Sequence, residues 1–230
     1  MDAANILMQT ELFGHLDRST LDATAPNWST RTYQRGEIVF NQGDRGDAIY
    51  VLVEGVAKVF LTSEDGDQMV LVTLRPPATF GELALVDGLP RSASVEALER
   101  LTVLVLGRRA WGELVEKHPE LRAGLLTSLG ALLRRLTDQA SDFVFLDLQG
   151  RVAKVLVTSA EERGERTSDG IALDLNMTQG DVARMVGGSR QAVNQILGSL
   201  ASRGYLELHG RTIVIRDLEP LRRRAGFTTL

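Results

Sequence analysis

The stretch Phe80–Ser94, FGELALVDGLPRSAS, gathers groups suited to holding one small anion. Gly81 lets a backbone approach a ligand closely. The run Glu82–Leu85 can form a single helical turn whose N–H groups face an anion. Arg91 supplies a guanidinium fork that matches a phosphate, and Ser92 adds a hydroxyl donor. Glu82 is acidic and does not suit a phosphate; its natural partner is a ribose hydroxyl. Together these residues want a phosphorylated sugar. Taken singly, Arg91 reads as a surface arginine and Glu82 as half of a structural ion pair. Their joint occurrence in a β-rich region favours a ligand. No Gly-x-x-x-x-Gly-Lys loop occurs, so a nucleoside triphosphatase site has no support.

A second chemistry lies in MTQGDVARMVGGSRQAVNQILGSLASRGYLEL, residues 177–208. Thr178 with Asp181 predicts a capping box at a helix start. Ala183 is small enough for a close helix crossing, and Gly187-Gly188 permit a tight turn. Ser189 can cap a second helix. Val193, Ile196, Leu197 and Leu200 form that helix's apolar face. Arg190, Gln191, Asn194 and Gln195 form its polar face, and these are side-chain types that read base edges in a major groove. The segment YLELHGRTIVIRD predicts a two-stranded wing around His209-Gly210, with Arg211 and Thr212 placed for phosphate. A plain αα-hairpin with a solvated polar face is the bland alternative. The order of cap, small residue, glycine turn, cap and wing favours DNA binding, with Thr178 and Gln179 at its edge.

These residues need elements to hold them. Segments EIVF, AIYVLVEG, VAKVFLT, MVLVTL, ASVEAL and TVLVLG between residues 31 and 106 are strand-like and separated by turn-formers such as NQGDRGD and SEDGD. They predict an antiparallel sandwich or jelly roll, because no helix-length crossovers separate them. Pro119 can open a long helix. Within it Leu126, Leu129, Leu133, Leu136, Ala140 and Phe143 recur at steps of three and four, a heptad seam. This predicts pairing with a second copy; packing on its own β domain is the alternative. Residues 150–165 predict an amphipathic helix, and RGERTSDG, residues 163–170, a polar loop. The expected organisation is an α+β chain: a β-roll domain over 1–118, a dimerisation helix and hinge over 119–147, and a winged helix-turn-helix over 148–230.

Composition narrows the function classes. The chain has 230 residues, no cysteine and a formal net charge of −4. Residues 151–230 carry 12 Lys and Arg against 9 Asp and Glu, whereas residues 1–150 carry 14 against 21. The mild positive bias falls on the segment read as DNA-binding. Without cysteine there is no disulfide, thiolate metal site or cysteine-held iron–sulfur cluster. The three histidines, His15, His118 and His209, show no pairing for haem, and no His/Glu cluster suits a cupin-type metalloenzyme. No metal and no catalytic cofactor is expected. No secretory start appears at Met1–Leu12 and no apolar run nears the roughly 18 residues of a membrane span, so a soluble cytoplasmic chain is expected.

Over nearly its whole length the chain resembles the CRP/FNR family of bacterial transcription regulators. FGELALVDGLPRSAS resembles the phosphate-binding cassette of cyclic-nucleotide domains. YQRGEIVFNQGDRGDAIYVLVEGVAKV resembles the run before it, with Gly36, Gly43 and Gly55 at turns. LDLQGRVAKVL resembles the hinge, and GGSRQAVNQIL the recognition helix. The resemblance implies that Gly81, Glu82, Leu83, Ala84, Arg91 and Ser92 hold the cyclic phosphate and ribose. It implies that Ser189, Arg190 and Gln195 touch phosphate or bases. Gln191 stands where cyclic-AMP receptors carry Glu, which alters the expected operator. Leu136 and Thr137 stand where those receptors place polar residues against adenine, so only Thr137 keeps a hydroxyl there. The implied function is a homodimeric, allosteric DNA-binding regulator of a palindromic operator. Cyclic AMP is the first-choice ligand and RNA polymerase a further partner. Cyclic GMP, another nucleotide or no ligand remain alternatives. A cyclic-nucleotide-regulated enzyme subunit is disfavoured, because the helix-turn-helix occupies the effector position.

Overall fold

The computed structural model describes residues 2–175, 177–210 and 212–227. The chain divides into two compact units, 1–135 and 136–230, and the division falls within one long helix.

In the first unit, short apolar strands pair antiparallel into two four-stranded sheets. One contains β1 (Trp28–Tyr33), β8 (Leu101–Gly107), β3 (Ala48–Glu54) and β6 (Ala78–Phe80), in that order. The other contains β2 (Ile38–Phe40), β7 (Ser94–Ala97), β4 (Ala57–Thr62) and β5 (Gln68–Leu74). Inward residues such as Tyr50, Leu52, Val95, Ala97 and Val103 make the core between them. The expected antiparallel roll is what forms, and Gly36, Gly43 and Gly55 take positive φ at its turns.

Short helices add a second core that the strand reading left out. Helices α1 (Ala3–Leu7), α2 (Arg18–Thr24) and α4 (Arg108–Lys117) cover one side of the roll. Phe13 is fully buried there, edge-on to Trp28 and Trp111. Asp2 and Asp17 cap α1 and α2 through Asn5 and Thr20 N–H. Between β6 and β7 lies the single-turn helix α3 (Leu83–Val86).

Helix α5 (Glu120–Phe145) starts just after Pro119, as its sequence predicts, and runs across the unit boundary. Leu121 and Gly124 are its buried positions. In contrast, Leu126 is 71% and Leu133 65% exposed. Partial exposure at Leu136 and Phe143 continues that apolar stripe.

The second unit is built on α6 (Leu148–Arg163), capped by Asp147 through Gly150 N–H. Strands β9 (Glu165–Thr167) and β10 (Gly170–Asp174) pair as a hairpin where a polar loop was expected. The correction has a plain cause: β9 is an exposed edge strand, and its Glu-Arg-Thr sequence carries no apolar alternation. Strands β11 (Leu206–His209) and β12 (Thr212–Ile215) complete the sheet in the order β11-β12-β10-β9. Helices α7 (Gln179–Val186), α8 (Arg190–Ser202) and α9 (Glu219–Arg224) pack with α6 around Val152, Leu156, Val182, Val193 and Leu197.

The α7–α8 turn needs its glycine. Gly187 has φ 66°, and a Cβ there would stand 2.6 Å from the Phe143 ring. Gly187→Ala is therefore expected to cost about 1–2 kcal/mol for the left-handed backbone alone. Crowding against Phe143 adds to that. Thermal denaturation of Gly187→Ala, Phe143→Ala and the double variant checks this: the double variant recovers part of the loss.

Candidate functional site

The cassette is held at the edge of the roll by one glycine, one short helix and two arginines. After β6, Gly81 turns with φ 84°. A Cβ on Gly81 would lie 2.7 Å from Arg91 Nη1 and 3.2 Å from the Tyr50 ring, so only glycine fits. The chain then enters α3 through Glu82. Ala84 and Leu85 are buried, while Leu83 is partly exposed.

Arg91 is 5% exposed and turns inward beside Gly81. Nη1 donates to the Gly81 carbonyl at 2.6 Å and Nη2 to the Ala48 carbonyl at 2.8 Å. The guanidinium lies 4.2 Å above the Phe40 ring and 5.6 Å from that of Tyr50. Tyr50 stacks on Phe80 at 5.1 Å, so three aromatics from β2, β3 and β6 form its floor. Nε has no hydrogen-bond partner among the described residues. The fork expected to face an anion braces two backbone carbonyls here, with one of its three nitrogens, Nε, left over.

Glu82 is buried too, and its Oε2 lacks a hydrogen-bond partner among the described residues. Burial pushes its pKa up from the ordinary carboxylate value; its own backbone N–H and the Arg91 charge oppose this only in part. Burial likewise pulls the Arg91 pKa down, against the opposing influence of Tyr50, Asp47 and Glu82. A cation and a carboxyl thus sit dry, close in sequence and incompletely satisfied. Such groups are costly unless something completes them. A ligand with an anionic group beside a hydroxyl supplies both missing partners. Ser92 is exposed next to Arg91, and Thr137 is exposed on α5 in the second unit.

The second cluster lies on α7 and α8. The capping box forms: Thr178 Oγ1 accepts from Asp181 N–H at 3.1 Å and donates to Asp181 Oδ2 at 2.6 Å. Ser189 caps α8 by accepting from Ala192 N–H at 3.1 Å. Both hydroxyls therefore first serve helix starts. Val193, Ile196 and Leu197 bury the inner face of α8. Arg190, Gln191, Asn194 and Gln195 are all exposed on its outer face, and Gln179 is exposed on α7. Arg211 lies outside the described residues. Phe143 makes a contact not foreseen from the heptad pattern: it packs on Gly187 and under Arg151, at 4.9 Å. Arg151 also donates to the Val186 and Leu146 carbonyls, at 2.8 and 2.7 Å. It thereby fastens the end of α5 to the helix-turn-helix.

Sequence reasoning missed Arg108, which donates to the Gly46 and Ala84 carbonyls beside the cassette. No motif marks it; only the fold brings it there.

Residues 30–118 match the cyclic nucleotide-binding domain family, and residues 150–224 match the Crp-like helix-turn-helix domain. The CRP-like cAMP-activated global transcriptional regulator of Mycobacterium tuberculosis is 32% identical over 220 residues, covering 96% of this chain and 98% of that protein. The cAMP-activated global transcriptional regulator CRP of Pasteurella multocida is 29% identical, covering 80% of this chain and 88% of that protein. Among solved structures, a CooA mutant from Carboxydothermus hydrogenoformans superposes with a TM-score of 0.76 at 25% identity, covering 88% of this chain and 90% of that one.

Glu82 yields a pH prediction. Its folded-state pKa is raised, so the stability its protonated form contributes is present at low pH and lost as pH rises through that pKa. The ligand-free chain is expected to gain stability on acidification from pH 7.5, relative to Glu82→Gln. If the ionised carboxylate accepts a ribose hydroxyl, nucleotide affinity falls over the same window in the parent and stays flat in Glu82→Gln. Denaturant titration and calorimetry at several pH values check both.

Proposed function

We propose that cyclic AMP controls this chain, which belongs to the CRP/FNR family of transcriptional regulators. It is a cyclic-nucleotide-controlled, DNA-binding regulator and not an enzyme. The observation that carries the ligand reading is the buried, incompletely satisfied Arg91 beside Gly81 and Glu82. In this reading Arg91, Ser92 and the amides of Leu83 and Ala84 take the cyclic phosphate. Glu82 takes the ribose, and Thr137 is the residue that the family resemblance assigns to the base. The relatives named for activation by cAMP support the choice of nucleotide.

Two copies pair along Leu126, Leu129, Leu133, Leu136 and Ala140, on a helix face where Leu126, Leu133 and Leu136 are exposed. Phe143 joins that seam only in part, since it also packs on the helix-turn-helix turn. The ligand acts through its differential affinity for two arrangements of the paired helices. In the DNA-binding arrangement the two α8 helices stand about 34 Å apart and enter successive major grooves of a palindromic operator. Arg190, Gln191, Asn194 and Gln195 read bases, while Thr178, Gln179, Ser189 and Arg211 hold phosphates. The dimerisation element is residues 119–147, between a β-roll domain and a winged domain, and RNA polymerase is the downstream partner. A second reading, in which cyclic GMP or another nucleotide is the effector, is favoured by one residue. Leu136 stands where the family places a polar base contact.

Titrating cyclic AMP and cyclic GMP into the full chain, with band shift on operator DNA as readout, separates these readings. Cyclic AMP is expected to strengthen DNA binding; a response to cyclic GMP alone, or to neither, overturns the choice. Arg91→Ala is expected to abolish nucleotide binding by calorimetry. Arg190→Ala is expected to cost about 1–3 kcal/mol on the specific site and little on random DNA.

A further inference from the structure

Two arginines brace the same pair of segments, and only one of them lies in the cassette. Arg91 joins the Gly81 carbonyl to the Ala48 carbonyl. Arg108, the first residue of α4, joins the Ala84 carbonyl to the Gly46 carbonyl through a single nitrogen, Nη2, at 2.7 and 2.6 Å. Its own N–H donates to the Asp47 carbonyl at 2.7 Å. The two braces run side by side, from residues 81 and 84 on one segment to residues 48 and 46 on the other.

The gap they span is closed tightly. Gly46 is buried, and a Cβ there would stand 2.1 Å from the Ala84 Cβ and 3.5 Å from the Arg91 guanidinium carbon. Helix α3 therefore lies directly on the 43–47 turn, and Arg108 seals that contact. The Ala84 carbonyl belongs to the last turn of a four-residue helix, where carbonyls lack helical partners. A helix this short does not hold its own shape in water. Arg108 supplies the missing donor.

We infer that Arg108 is the positioning residue that keeps the cassette folded when Arg91 takes up the ligand's phosphate through its unmatched Nε and its own backbone brace loosens. The inference rests on the nucleotide reading above. Arg91 holds segments 81 and 48 together only while it donates to their carbonyls. An anion that pulls on the guanidinium through Nε weakens that brace at the moment the α3 amides must stay in place. Arg108 touches only backbone carbonyls in this role, and its brace persists whether or not the site is filled.

The test compares the parent chain with Arg108→Met, Arg108→Gln, Arg108→Lys and Arg91→Ala, all full length. Calorimetry measures cyclic AMP affinity, and hydrogen exchange follows amides of segments 43–48 and 81–88 with and without nucleotide. Arg108→Met is expected to bind roughly tenfold more weakly. Its cassette amides exchange faster than the parent's, chiefly in the nucleotide-bound state, while the β3 and β8 amides keep parental protection. Arg108→Lys, which keeps an N–H donor, recovers most of the affinity. Should Arg108→Met not fold, Arg108→Gln, too short to bridge both carbonyls, decides: a threefold or greater loss with faster cassette exchange supports the role, and parental values overturn it. Undiminished affinity in folded Arg108→Met overturns it as well. So does a loss accompanied by faster exchange throughout the roll, which marks general destabilisation. If the parent chain binds no cyclic nucleotide, the nucleotide reading itself fails, and Arg91→Ala then changes nothing either.

Discussion

Burying an arginine that donates to no carboxylate is among the more costly things a small β domain can do, and the cassette is organised around that cost. Arg91 lies dry over Phe40, with two of its donors spent on backbone carbonyls and Nε unmatched. Glu82, buried nearby, leaves a carboxylate oxygen unmatched as well. Structural residues of these types are normally paired, since an unsatisfied buried polar group costs on the order of 1–3 kcal/mol. What sets this pair apart from the other arginine nitrogens that make no hydrogen bond among the described residues, the Nε atoms of Arg75, Arg163 and Arg184, is that an unmatched cation and an unmatched carboxyl flank one glycine turn and one short helix. The sequence around the defect follows from this: a glycine where a side chain would strike Arg91, a single helical turn, and a second arginine bracing the far end.

The second unit solves a different problem, the rigid presentation of a polar helix face. Three helix starts there are satisfied from within: Asp147 caps α6, Thr178 with Asp181 caps α7 and Ser189 caps α8. With its inner face buried by Val193, Ile196 and Leu197, α8 leaves Arg190, Gln191, Asn194 and Gln195 free of internal duties. Arg151 then ties the end of α5 to the last carbonyl of α7 and covers Phe143. The end of α5 is therefore mechanically connected to the C-terminus of α7 and the turn that leads into α8 within this unit.

Much of this was legible in the residues. Turn glycines, strand alternation, caps and the glycine pair before α8 each carry a local physical signal, and local signals survive in sequence. The parts that were not legible lack one. Helices α1 and α2 have five and seven residues, too few for a period to show. Strand β9 is wholly exposed and reads as a loop. The direction of Arg91 depends on aromatics at positions 40 and 50, far off in sequence, and the role of Arg108 depends on carbonyls at 46 and 84. Phe143 fits a heptad by spacing, yet its ring packs on a turn some forty residues later.

The central claim is that the unmatched donor of Arg91 waits for an anion. Side-chain nitrogen NMR of the full chain, with the Arg91 Nε resonance assigned through Arg91→Lys, observes that donor directly. As cyclic AMP is added, the account predicts that Nε–H shifts to saturation at one equivalent per chain and becomes protected from exchange with water. Saturable nucleotide binding that leaves the Arg91 Nε resonance where it stood would contradict it.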